Sequence, residues 1–154
     1  MKALNIIESW LSILILMVII VLMSVEIITR YLLGFSFSTS EELSRYLFIW
    51  FVYISMSYAI TKESHITIDS LYNAVPSKFK FLFKQIGIIA WILFAVAFTY
   101  FSTQYVFYMY ETGSRAGASN IPLWIISLGI PFGFLLSIFR LIFIFFKNLS
   151  NAEN

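Results

Sequence analysis

The sequence has no cysteine and a single histidine, His65. The first absence removes disulfides, cysteine-ligated zinc and thiol nucleophiles together. The second leaves too few imidazoles for most metal centres and catalytic triads. Charge is also scarce: Asp, Glu, Lys and Arg make up 12% of 154 residues, and a net charge of +2 is too small to mark a nucleic-acid surface. What is present instead is hydrocarbon. The chain is 60% hydrophobic and 19% aromatic, gathered into runs long enough to cross a ~30 Å bilayer core as helices. Polar residues occupy short breaks between those runs and leave no length for a soluble domain. The expectation is an all-α membrane protein, one transmembrane domain over residues 1–154, with four helices at about 6–33, 41–61, 85–110 and 121–146.

Lys2 precedes the first run, but that run is too long for a signal-peptide core and has no small-x-small cleavage site before Glu26, so a retained helix is expected. Trp10 and Tyr31 lie near its two ends, where amphipathic rings favour the membrane interfaces. Residues 34–40 (GFSFSTS) read as a tight turn, with Ser38, Thr39 or Ser40 available as N-cap and Glu41 and Glu42 placed on the positive end of the second helix. Residues 62–84 form the most polar interval. Within it Ile66, Ile68, Leu71 and Val75 suit a short interfacial helix ended by Pro76, followed by lysines alternating with phenylalanines. Residues 111–120 (ETGSRAGASN) are a small-residue loop, and Pro131, flanked by Gly129 and Gly133, should kink the fourth helix.

Lysine placement sets the topology. Lys2, Lys62, Lys78, Lys80, Lys84 and Lys147 all fall at the N-terminus, in residues 62–84 or in the C-terminal tail. By the positive-inside rule both termini and that loop are cytoplasmic, and residues 34–40 and 111–120 face outward.

Charges inside the apolar runs are expensive and therefore informative. Glu26 and Arg30 lie near the outer end of the first helix, at about the depth of Glu41, Glu42 and Arg45 on the second. Glu26 with Arg45, or Arg30 with Glu41 or Glu42, would join the two helices. On the inner side Glu8 and Arg140 share a depth and form a second candidate pair. The competing reading is that arginines snorkel to lipid phosphates and glutamates to water. A third reading, a proton- or cation-coupling carboxylate, is disfavoured for Glu26 because an arginine one turn away holds it ionised. His65 and Asp69, four residues apart, make a poor metal site and a better hydrogen-bonded pair at the cytoplasmic interface.

Several segments together resemble the small, DctQ-type membrane subunit of tripartite ATP-independent periplasmic (TRAP) transporters. They are Arg30-Tyr31, Glu41-Glu42-Leu43-Ser44-Arg45-Tyr46 with Trp50, His65-Ile66-Thr67-Ile68-Asp69, Ile121-Pro122-Leu123-Trp124, and Ile130-Pro131-Phe132-Gly133. The middle of the second helix departs from the family, reading Tyr53-Ile54-Ser55-Met56-Ser57 where glycine or alanine is usual, which weakens the expectation of close helix contact there.

The resemblance implies a bacterial inner-membrane subunit without catalytic residues, metal or cofactor of its own. Its implied partners are a large M-type membrane subunit, where sodium ions bind, a periplasmic substrate-binding protein (P-type) and membrane lipids. The small subunit would brace the scaffold of the elevator-type partner during uptake of an organic acid, sialic acid among the possibilities. Trp50, His65, Asp69, Pro122, Trp124 and Pro131 are then candidates for the subunit interface. Ser38, Ser40, Ser114, Arg115 and Asn120 are candidates for docking the binding protein. Two other classes stay open: a small four-helix ion-coupled exporter, and an assembly subunit of a different membrane complex.

Overall fold

A bilayer offers no water to backbone amides, so an apolar chain crossing it must satisfy them internally as helix. The computed structural model describes residues 2–61 and 77–150, and the expected interfacial helix, with His65 and Asp69, lies outside them. Four helical stretches are long and apolar enough to cross a membrane: Asn5–Leu33, Ser38–Ile60, Gln85–Glu111 and Leu123–Phe146. The elements are α1 (Lys2–Ile28), α2 (Ser38–Ile60), α3 (Ser77–Glu111), α4 (Leu123–Ser127) and α5 (Gly129–Ser150).

Local chemistry explains where each begins and stops. A five-residue π-helical turn, Thr29–Leu33, extends α1 and ends on Gly34 at φ +72°, a left-handed position that closes helices and suits glycine. None of the expected serine and threonine caps is used at α2. Phe37 occupies the N-cap position without a side-chain cap, and its free amide donates instead to Glu26 Oε2 at 3.0 Å. α3 begins at Ser77, earlier than the hydropathy pattern suggests, and at 35 residues is ~52 Å long, well beyond one bilayer core. The hydroxyls along it turn inward on their own helix: Thr99 donates to the Ala95 carbonyl and Thr103 to that of Thr99.

Pro122 lies just before α4 in extended backbone and not in its first helical turn. The break between α4 and α5 falls at Leu128, just ahead of Pro131. Proline has no N–H for the carbonyl four residues back and its ring crowds that carbonyl, here that of Ser127, so the interruption precedes the proline.

Spatially the helices form a row. α1 packs chiefly against α2, α2 against α5, and α3 against α4 and α5, which leaves α1 and α3 at opposite edges. Close approach at the centre is supplied by α5. A Cβ built on Gly133 would meet Tyr53 Cβ at 2.5 Å and the Tyr53 carbonyl oxygen at 2.6 Å, and Gly129 faces the Trp50 ring. Tight contact beside Tyr53 therefore exists even though α2 lacks the family's small residues, because the glycine is on the other helix. Phe134 is the next residue, its ring 5.6 Å from Tyr53 and 5.5 Å from Phe98, tying α2, α3 and α5 together. Ile60, Ile88, Leu141 and Ile144 form a buried cluster toward the end of α5, covered by Trp91, Ile92 and Phe145.

Candidate functional site

The polar groups within the spans gather at two levels. Near the start of α1, Glu8 is ion-paired with Arg140 of α5, and the two side chains are only 5% and 1% exposed. Arg140 Nη1 also donates to Asn5 Oδ1 at 2.8 Å, and Ser57 of α2 donates to Glu8 Oε1 at 3.5 Å. One turn further along, Ser55 donates to Ser12 at 3.1 Å. Three helices thus meet on one buried ion pair. Neither partner reaches solvent, so snorkelling does not describe them.

The second level lies where the two short loops emerge. Glu26, buried, accepts from Arg30 at 2.8 Å, Ser36 Oγ at 2.7 Å and the Phe37 amide at 3.0 Å. Arg30 reaches on to Glu41 of α2 at 3.4 Å, which makes Arg30–Glu41 the charge link between α1 and α2. The expected Glu26–Arg45 pair is absent among the described residues: Arg45 is exposed and bonds Glu41 within its own helix at 3.5 Å. Nor does Arg30 engage Glu42. The reason is geometric, because Arg30 sits one turn from Glu26, and the Ser36 hydroxyl and Phe37 amide of the returning chain fill the remaining acceptor positions of Glu26.

Glu42 has a different task, which pairing rules for charges did not anticipate. It is buried, and its Oε2 accepts the backbone amides of Ala118 at 3.1 Å and Ser119 at 2.6 Å. A carboxylate on α2 therefore holds the α3–α4 loop. The loop is itself tightly built: Arg115 and Pro122 form an isolated antiparallel bridge, the Ala116 amide donates to Ile121 at 2.9 Å, and the Leu123 amide donates to Ser114 at 3.0 Å. Arg115 Nη1 donates to the Asn120 carbonyl at 3.3 Å, and Asn120 adopts φ +54°, a conformation asparagine tolerates better than most residues. The available clue in the sequence was an excess of carboxylates at this depth, Glu26, Glu41 and Glu42 against Arg30 and Arg45, beside a loop rich in small residues whose amides lie open.

Removing that acceptor gives a direct test. In Glu42→Ala, amide hydrogen exchange at Ala118 and Ser119 is expected to accelerate roughly tenfold or more, the scale of losing a charge-assisted hydrogen bond. Glu41→Ala should leave it unchanged. Exchange read by mass spectrometry on loop peptides checks both.

Of the remaining candidates, Ser38 and Asn120 are exposed, the Ser40 carbonyl accepts from Ser44 at 2.8 Å, and Ser114 Oγ bonds Thr112 at 2.8 Å. Trp50, Trp124 and Pro131 line one open groove between α2, α3 and the α4–α5 segment, with Trp124 edge-to-face on Tyr110 at 5.8 Å. Pro122 stands in the loop bridge.

Among the described residues no cluster of three or more metal-ligating side chains occurs. Each buried carboxylate is instead engaged by donors from this chain: Arg140, Asn5's partner, on Glu8; Arg30 and Phe37 on Glu26; loop amides on Glu42. The arrangement fastens helices and loops.

A family model described as tripartite ATP-independent periplasmic transporters, DctQ component, matches residues 7–151. The chain is 27% identical over 128 residues to the ectoine TRAP transporter small permease protein TeaB of Halomonas elongata, covering 83% of this chain and 66% of that protein. It is 28% identical over 120 residues to the C4-dicarboxylate TRAP transporter small permease protein DctQ of Rhodobacter capsulatus, covering 78% and 53% respectively. A shorter match, 31% identical over 80 residues, is to the sialic acid TRAP transporter permease protein SiaT of Haemophilus influenzae, covering 52% of this chain and 13% of that protein. The chain thus spans about two-thirds and about half the length of the first two relatives.

Proposed function

Because this chain belongs to the DctQ family of tripartite ATP-independent periplasmic transporters, a multi-pass membrane family, we propose that it is the small permease subunit of such a transporter and acts as a fixed brace for the large membrane subunit. Uptake of an organic acid, coupled to sodium bound in the large subunit, would proceed through that partner. Lysine placement orients the brace with both termini cytoplasmic and the two short loops periplasmic. Substrate choice would rest with the partners; the relatives are named for ectoine, C4-dicarboxylate and sialic acid.

The observation that carries this reading is the state of the buried carboxylates. A carboxylate that couples transport must exchange its ligand, and Glu8, Glu26 and Glu42 each hold a structural partner within this chain. That supports a static component over the exporter reading. The decisive experiment is co-expression with the large subunit and binding protein: the chain should co-purify with the large subunit, and vesicles containing the chain alone should accumulate no solute. Accumulation by the chain alone would overturn the brace.

The loop held by Glu42 presents Arg115 outward on a fixed frame, and we assign it to docking of the binding protein. Exposed charges of this kind act mainly on encounter rates. Arg115→Glu is expected to slow uptake several-fold at low salt, with the deficit shrinking as ionic strength rises, while co-purification stays normal. Uptake unchanged at every salt concentration would remove Arg115 from the docking surface.

A further inference from the structure

We propose that the outward seam of α3, centred on Gln104, receives a transmembrane helix of the large membrane subunit, with a hydrogen-bonding side chain of that helix set on the Gln104 amide. Leu93, Ala97, Tyr100, Gln104, Phe107 and Glu111 recur at alternating steps of four and three residues along α3, the spacing of a two-helix seam. All six are exposed, on a helix that stands at one edge of the row.

The polar pair on that seam distinguishes protein from lipid as its cover. Gln104 Nε2 donates to the Tyr100 hydroxyl at 2.8 Å. An amide offers two N–H groups and a carbonyl, and a phenol one O–H, so this bond leaves an N–H, the amide oxygen and the tyrosine proton unengaged among the described residues. Gln104 lies seven residues, ~10 Å, inside the Glu111 end of the span Gln85–Glu111. Side chains on a helix lean toward its N-terminus, here the cytoplasmic end, so the amide points deeper still, away from the nearer interface. It does not snorkel. Hydrocarbon tails supply neither donor nor acceptor, and an unsatisfied amide among them is costly. A neighbouring helix with a polar side chain satisfies it, and such bonds hold transmembrane helices together. Ala97, one heptad below, lets the two backbones approach closely. The exposed face of α1 differs. Ile13, Met17 and Ile20 occupy its middle, and its Ser12 hydroxyl is already bonded to Ser55, so lipid covers that face without loss.

Charge selects the partner. Two copies of this chain share one orientation in the bilayer, so pairing seam to seam would be two-fold and parallel and would set Glu111 against Glu111. Like charges so placed disfavour that complex. The partner is therefore a different protein, and its assignment as the large subunit rests on the brace function proposed above.

The test co-expresses the full chain with the large subunit and the binding protein, with p-benzoylphenylalanine replacing Leu93, Phe107 or, as background, Met17. Irradiation in native membranes should join the chain to the large subunit in several-fold higher yield from Leu93 or Phe107 than from Met17. Gln104→Leu should weaken retention of the large subunit roughly three- to tenfold across a dilution series, the factor for one hydrogen bond between transmembrane helices. The same variant alone in mixed micelles should unfold no more readily than the parent. Failure of the parent chain to co-purify would sink the brace and the seam together. With co-purification intact, α3 adducts no stronger than the Met17 background, or adducts only to lipid or to a second small subunit, would overturn the seam alone. Unchanged retention by Gln104→Leu, or a loss explained by its unfolding more readily in isolation, would do the same.

Discussion

Replacing Arg140 with methionine is expected to destabilise the chain by about 3–5 kcal/mol, the cost of stranding one member of a buried ion pair. Glu8 would keep its place among α1, α2 and α5, with only the Ser57 hydroxyl left to it, in a medium where water is distant. The same variant removes the donor to Asn5 Oδ1. Because the loss comes from the abandoned charge, Glu8→Gln combined with Arg140→Met should recover most of it. Two neutral groups of similar volume bear little desolvation cost, and buried ion pairs replaced by well-packed apolar groups are often neutral in net effect. Equilibrium unfolding in mixed micelles measures all three proteins. A double variant as unstable as Arg140→Met would show that packing, and not charge, gives the position its weight.

Gly133→Ala is expected to cost at least 1–3 kcal/mol, the range for overpacking a well-filled interior. The added methyl would lie 2.8 Å from the Tyr53 carbonyl carbon and closer still to its oxygen and Cβ. Two of those atoms are main chain, so no rotamer change relieves the contact and α2 must separate from α5. Tyr53→Ala should therefore fail to rescue the variant, since it keeps both the backbone and the Cβ. Gly129→Ala is the control. Its methyl would meet the Trp50 ring at 3.1–3.3 Å, a side chain with room on the groove side to give by a few tenths of an ångström. The same unfolding assay should rank Gly133→Ala well below Gly129→Ala, and the reverse order would contradict the close helix crossing.

Much of the architecture was legible in the sequence because the bilayer makes it so. Four apolar runs broken by polar segments leave few alternatives once backbone amides must bond internally. The break in the fourth helix was legible from Pro131, although its effect falls at Leu128, toward the carbonyl that the proline leaves without a donor. Equal depth brought Glu8 and Arg140 under consideration as partners, since charges at one level of a membrane seek each other.

Depth alone did not predict which groups meet at the loop end. Counting side-chain charges leaves out the backbone, and there the backbone competes well. Glu42 binds two amides of a loop 76 and 77 residues away in sequence, and Glu26 captures the amide at the start of α2. Unbonded amides at turns are strong donors with no charge to announce them. The close approach beside Tyr53 was obscured for a related reason: α2 is bulky there, and the space comes from Gly133 on a helix that only tertiary structure brings alongside.

α1 lies at the edge of the row and packs chiefly on one neighbour, yet it is fastened near both ends, by Glu8 to Arg140 and by Arg30 to Glu41. The two attachment points are 22 residues apart, Glu8 to Arg30, or ~33 Å along the axis. Greasy contact by itself would let such a helix roll, or piston by a turn, at small cost. Two polar pins at separate heights oppose both freedoms at once, since rolling, or sliding by a turn, would have to part the Glu8–Arg140 pair and the Arg30–Glu41 link together.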